Sequence, residues 1–208
     1  MKTLAVYCGA SPGVNPVYAD SARLLAGALV EHNIGLVYGG GKVGLMGVIA
    51  DEVLRLGGEA TGVIPKALLE REVGHAGLTR LFVVKDMHER KAMMAELSEG
   101  FIAMPGGMGT LEELFEMLTW SQLGIHAKPI GLFNTNGFWD GLVRFVRHQS
   151  EEGFVRPEHL ELMQVDADAD GLIRRLRTAV LPSGSGGAVS APAETPTPRP
   201  GSAAAGPT

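Results

Sequence analysis

A chain of 208 residues suits a single domain of ordinary size. Its 18 Lys and Arg stand against 23 Asp and Glu, the net charge is −5, and no basic block occurs, which argues against a nucleic-acid partner. One cysteine excludes an internal disulfide and a cysteine-based zinc site, and the longest apolar runs are too short for a membrane span or a secretory signal, so no membrane partner and a cytoplasmic location are expected.

In chain order, residues 3–8 are a nearly continuous apolar run and predict a buried strand, which ends in Gly9-Ala10-Ser11-Pro12-Gly13. Asn15 and Pro16 open a helix that Tyr18, Ala22, Leu25, Ala26 and Leu29 carry at helical spacing to about residue 32. A second strand, 34–38, runs into Gly39-Gly40-Gly41-Lys42-Val43-Gly44-Leu45-Met46-Gly47, followed by a helix to about 56. The third strand is 59–64, and 66–80 read as loop. The fourth strand is 81–84. Asp86 caps a helix to about 98, and the fifth strand, 101–104, opens into Pro105-Gly106-Gly107-Met108-Gly109-Thr110. A helix from there to about 123, a strand 129–133, a helix 138–149, a short strand 160–165 and a helix 169–180 complete residues 1–181. Residues 182–208, rich in Pro, Ala, Gly and Ser, cannot bury enough apolar surface to order and are expected to be a flexible tail.

Strands joined by helix-length connections should be parallel. The expected fold is an α/β, doubly wound, mostly parallel sheet with helices on both faces. Ligands of such sheets bind beyond the carboxyl ends of the strands, where three glycine-bearing loops lie: after Cys8, after Tyr38 and after Met104.

Gly39-x-Gly41-x-x-Gly44, with Glu59 about 20 residues on, satisfies the dinucleotide pattern, yet it follows the second strand rather than the first. A tight strand-to-helix turn and a ligand contact through Gly40 and Gly41 both fit it. The 105–110 loop is sharper. Gly106, Gly107 and Gly109 let several backbone N–H groups converge on one anion, Thr110 adds a hydroxyl, and the next helix points its positive end at the same place. Lys is absent, so this is no nucleoside-triphosphate loop of the Walker type.

Two helices carry charge on apolar faces. Arg90 and Lys91 share a stripe with Met87 and Met94 near a helix start, where the dipole disfavours cations; a bound anion would relieve the conflict. In the helix after Thr110, Leu111, Leu114, Phe115 and Leu118 read as the core stripe. Glu113 lies elsewhere, beside Met117 and Trp120, a second apolar patch expected to be covered by a partner subunit. A carboxylate partly desolvated there can act as a base or stabilise a cation. Glu112 and Glu116 read as solvated, Cys8 as a small buried residue, and the six His show no metal-ligand spacing.

The segments Asp86-Met87-His88-Glu89-Arg90-Lys91 and Pro105-Gly106-Gly107-Met108-Gly109-Thr110-Leu111-Glu112-Glu113 resemble the paired signature of the lonely-guy (LOG) family, and the similarity extends over most of residues 3–180. The resemblance implies hydrolysis of the N-glycosidic bond of N6-modified adenosine 5′-monophosphates, giving free base and ribose 5-phosphate. It implies catalysis by Arg90 and Glu113, and substrate contacts from Glu72, Lys91, Gly107, Met108, Gly109, Thr110 and Thr119, to which the loop reading adds Gly106. It also implies a homo-oligomer, with a dimer expected, and neither cofactor nor metal. A non-catalytic nucleotide or molybdenum-cofactor carrier of the same fold is the alternative. An NAD-dependent dehydrogenase rests on the Gly39 pattern alone.

Overall fold

The computed structural model describes residues 1–69 and 74–179. Glu72 and the 182–208 segment lie outside the described residues. Seven strands run in chain order: β1 (Thr3–Tyr7), β2 (Gly35–Tyr38), β3 (Ala60–Pro65), β4 (Arg80–Val84), β5 (Phe101–Ala103), β6 (Ile130–Phe133) and β7 (Met163–Asp166). They form one sheet in the order β4-β3-β2-β1-β5-β6-β7, and every pairing is parallel. The order climbs away from β1 in one direction and, after β4, restarts on its other side. The fold is therefore a doubly wound α/β sheet of the Rossmann type, with its switch point between β1 and β5.

The helices are α1 (Val17–Glu31), α2 (Gly44–Arg55), α3 (Lys66–Leu69), α4 (Met87–Leu97), α5 (Met108–Gln122), α6 (Asp140–Glu151), α7 (Pro157–Leu160) and α8 (Ala169–Thr178). The central strand explains why helices cover both faces. Successive side chains of β1 point to opposite sides, and both sides are apolar. Leu4, Val6 and Cys8 pack with α1, α2 and α8, whereas Ala5 and Tyr7 pack with α4 and α5. Leu25 and Leu29 of α1 and Ile49 of α2 are wholly removed from water. Each such side chain contributes about 1.5–3 kcal/mol of hydrophobic stabilisation.

Three departures from the sequence reading have local causes. The 66–80 segment contains the short helix α3, and β4 begins one residue early, at Arg80. Pro157 starts a helical turn, α7, and Leu162 then drops into the core, so the last strand begins at Met163 rather than at 160. Finally, α5 starts at Met108, because Gly107 takes the extended N-cap conformation (φ −98°, ψ −155°) and its carbonyl accepts from Leu111 N–H at 3.2 Å.

The buried face of α5 is also rotated relative to expectation. Its buried line is Leu114, Met117 and Leu118, at i, i+3 and i+4. Phe115, expected in the core, is 38% exposed. Met117 is fully buried and Trp120 packs on the same core, so this chain itself covers the patch that the sequence suggested a partner would cover. The exposed apolar residues of this region are Phe115, Leu123 and Ile125.

Capping fixes where α4 begins. Asp86 Oδ1 accepts from Glu89 N–H at 3.0 Å, and Glu89 Oε2 accepts from Lys85 N–H at 2.7 Å, a variant of the reciprocal capping box. The Glu89 N–H holds the Asp86 carboxyl below the usual aspartate range. A carboxyl with a lowered folded pKa stabilises fully above its unfolded value and loses that contribution as pH falls through the folded one. Asp86→Ala should therefore lower the denaturation midpoint near neutral pH, and the penalty should shrink as pH drops below ~4. Asp86→Asn, an equally good cap, should retain most of the midpoint at all pH values, as urea titrations can check.

Candidate active site

The two loops that leave β1 and β5 close on each other above the switch point. Gly9 N–H donates to Pro105 O at 3.1 Å, and Gly9 O accepts from Leu45 N–H at 3.0 Å, which ties the first turn of α2 to the same junction. Glycine is required at 106: a Cβ there would collide with Thr110 Oγ1 and press on Gly9 N. The strand exits can approach this closely only because that side chain is missing.

A cavity of about 510 Å³ lies over this junction. One wall is the 8–13 segment. Another is Gly106, Gly107, Gly109 and Thr110, where α5 begins. Met108, Gly109 and Thr110 occupy the first helical turn, so their N–H groups have no acceptor within the helix and carry its positive end. Arg90 and Glu113 line the same cavity. The sequence-predicted catalytic pair and the glycine loop are thus brought together.

Arg90 is 5% exposed. Its Nη2 donates to Gly39 O at 3.1 Å, and its Nη1 lies 3.7 Å from Met87 Sδ. A Cβ on Gly39 would overlap Nη2. The absent side chain at 39 is what lets the guanidinium lie against the end of β2. Glu113 reaches the cavity from the second turn of α5, four residues beyond Gly109 in sequence. Both charges bear on the cavity floor. Burial raises the Tyr7 phenol pKa, and Glu113 pushes it further while Arg90 opposes. The Cys8 thiol is raised in the same way, by burial first and then by Glu113. Burial of this kind disfavours the thiolate, which is the nucleophilic form.

Other sequence-predicted residues stand elsewhere. Lys91 is 5% exposed but does not line the cavity; its Nζ pairs with Glu112 and, at 3.1 Å, with Glu116, joining α4 to α5. Burial opposes its charge, yet the two carboxylates outweigh burial and raise its pKa. Glu116, read as solvated, is therefore a partly buried ion-pair partner. Met108 contributes its backbone to the helix start while its side chain is 84% exposed. Thr119 is exposed near the far end of α5 and away from the cavity lining. Gly40, at φ +76°, packs against Ile64 and Leu81, and Gly41 bridges Gly74; neither lines the cavity. Of the glycines in the second loop only Gly39 does, joined by Leu45 and Met46 at the start of α2. Among the described residues no group of three or more His, Cys, Asp or Glu could hold a metal ion, and no helix is long and apolar enough to cross a membrane.

Sequence reasoning assigned no role to Tyr18 or Phe138, which close one side of the cavity with their rings edge to face at 5.9 Å. They are 120 residues apart, so no local pattern marks them. The 9–13 loop carried a visible signal, its glycines after the first strand, but no residue in it could be singled out.

The fold and this site define a Rossmann-like α/β protein whose switch-point crevice joins a helix N-terminus to an arginine and a carboxylate. The family model described as possible lysine decarboxylase matches residues 46–176. The cytokinin riboside 5'-monophosphate phosphoribohydrolase LOG7 of Arabidopsis thaliana is 46% identical over 175 residues, covering 84% of this chain and 81% of that protein. The cytokinin riboside 5'-monophosphate phosphoribohydrolase of Rhodococcoides fascians is 46% identical over 178 residues, covering 85% and 90%. The chain belongs to this family, the LOG family. Among solved structures, the molybdenum cofactor carrier protein of Chlamydomonas reinhardtii shares the fold, with a TM-score of 0.64 at 20% identity over 85% of this chain and 96% of that one.

Adding one methyl group at 39 should test the seat of Arg90. The overlap falls on the far end of a flexible side chain, so Gly39→Ala should fold with a melting temperature within a few degrees of wild type, while a crystal structure of the variant should find the guanidinium displaced from Gly39 O.

Proposed function

We propose that the protein hydrolyses the N-glycosidic bond of N6-modified adenosine 5′-monophosphates, releasing free cytokinin or adenine base and ribose 5-phosphate. The observation that carries this reading is the sharing of one cavity by Arg90, Glu113 and the first turn of α5. The family membership and the names of the relatives support it. Leu68, Met87 and Met94 give the cavity an apolar wall, in keeping with a purine that carries an apolar N6 group.

In this mechanism the N–H groups of residues 108–110 and the Thr110 hydroxyl hold the 5′-phosphate. The ribose then lies one helical turn further along, beside Glu113. Cleavage of the bond from C1′ to the purine nitrogen develops oxocarbenium character on the sugar, as glycoside hydrolysis does. Glu113 faces that positive charge and takes the proton of the attacking water. Arg90, fixed by Gly39 O, polarises the nucleotide against the departing base. Glu72 stands in this proposal as a further substrate contact on the family resemblance alone, as do Lys91 and Thr119, although these two lie off the cavity lining of the single chain. A cytoplasmic homodimer belongs to the same proposal, with Phe115, Leu123 and Ile125 as candidate apolar contacts.

Incubation with AMP and with isopentenyladenosine monophosphate, followed by detection of free base, tests the activity; a carrier of the same fold would return both nucleotides intact. Glu113→Gln, nearly isosteric, should retain nucleotide affinity and lose about 10²-fold or more in single-turnover rate. Arg90→Ala should lose rate to a similar order, and unchanged rate and affinity would remove Arg90 from the site. Light scattering over a dilution series should give the mass of a dimer.

A further inference from the structure

The seat of Arg90 is a backbone carbonyl in a glycine turn, and such a turn needs an outside anchor. Gly39, Gly40 and Gly41 have no side chains with which to hold it, and Gly40 stands at φ +76°. His75 supplies the anchor. Its N–H donates to Gly40 O at 3.0 Å, one residue along from the carbonyl that receives Arg90, while Gly74 bridges Gly41. The His75 ring is buried, and both of its nitrogens are in use. Gly77 N–H donates to Nδ1 at 3.1 Å, so the ring proton lies on Nε2, which donates to Asp51 Oδ1 of α2 at 2.9 Å. A Cβ at Gly77 would press on the ring at 3.2 Å. Asp51 and His75 are 24 residues apart, neither lines the cavity, and the family resemblance implies no role for either. Contacts to an exposed carboxylate add little stability by themselves. What this one does is fix the direction of a buried ring whose own backbone holds the glycine turn.

We infer that Asp51 and His75 are a positioning pair for the reaction: they hold the Gly39–Gly41 turn and, through Gly39 O, the guanidinium of Arg90. The inference rests on the functional reading above, in which Arg90 meets the nucleotide. The route is short and continuous. It runs from Asp51 Oδ1 to His75 Nε2, from His75 N–H to Gly40 O, and one peptide back to Gly39 O, which accepts from Arg90 Nη2. Neither member of the pair touches substrate. Loosening the route lets the guanidinium drift, and a misplacement of about 1 Å by a distant change can cost up to about 10²-fold in rate. The phosphate seat belongs to a different element, the start of α5, so the loss should fall on kcat rather than on KM.

Asp51→Ala is the informative variant. The Asp51 side chain is 59% exposed, and alanine suits a helix interior, so the chain should fold. With AMP, well below the melting temperature, kcat should fall by more than about three-fold while KM stays within about two-fold. Asp51→Asn keeps an oxygen to accept from Nε2–H and should recover the rate to within about two-fold of wild type. In an Arg90→Ala background, single-turnover rates should show Asp51→Ala costing at most about two-fold further, because the route then ends on no guanidinium. A pair that only stapled the fold would lower the melting temperature alike in both backgrounds and leave kcat alone. An Asp51→Ala loss smaller than about three-fold, an Asp51→Asn rate no better than that of Asp51→Ala, or losses that multiply in the double variant would each overturn the inference. The two readings fail separately. If Arg90→Ala keeps wild-type rate and affinity, the functional reading falls and takes this inference with it; if Arg90→Ala is impaired and Asp51→Ala is not, this inference alone falls.

Discussion

The site depends on one constraint: two parallel strands that are neighbours in space but far apart in sequence must release their chains side by side. β1 and β5 pair in register, Tyr7 against Ala103, and Gly9 N–H then reaches Pro105 O at 3.1 Å. Each loop turns away to opposite faces of the sheet, which opens a crevice between them. The missing Cβ at 106 lets the loops touch without closing that crevice. Everything else in the site is aimed into the space so created: the start of α5 from one side, Arg90 of α4 from another, and the end of β1 from below.

Burying two adjacent cations on α4 needs compensation, and each obtains it differently. Lys91 is neutralised by Glu112 and Glu116, so the charge there ties α4 to α5. Arg90 donates to a backbone carbonyl at the end of β2 and lines the cavity. Neighbours in sequence thus do different work, one in holding the helices together and one in facing the ligand space. Chemical class did not separate them; the hundred-degree turn between successive helical residues did.

Much of the fold was legible because the periodicities are strong. The apolar runs of β1, β2 and β3 and the alternation of strand with helix forecast a parallel sheet covered on both faces. The short elements were harder. α3 and α7 have four residues each, too few for an amphipathic period to emerge. The buried face of α5 was misjudged because Leu111, Leu114, Phe115 and Leu118 form as good a stripe as Leu114, Met117 and Leu118. Only the rotation set by the sheet and by α4 distinguishes them, and Met117 rather than Phe115 meets the core.

By itself, the sequence determined the type of each long element, the doubly wound class, and the segments that could meet a phosphate or carry charge on an apolar face. Those properties are local, set by glycine, by capping and by side-chain period. It did not determine which of Arg90 and Lys91 faces the cavity, that Gly39 rather than Gly40 or Gly41 lies at its edge, or that Tyr7, Tyr18 and Phe138 join it. Those outcomes need the direction of each side chain relative to distant strands. Helix rotation and strand order set that direction, and both are fixed by how the whole core packs rather than by any stretch of chain.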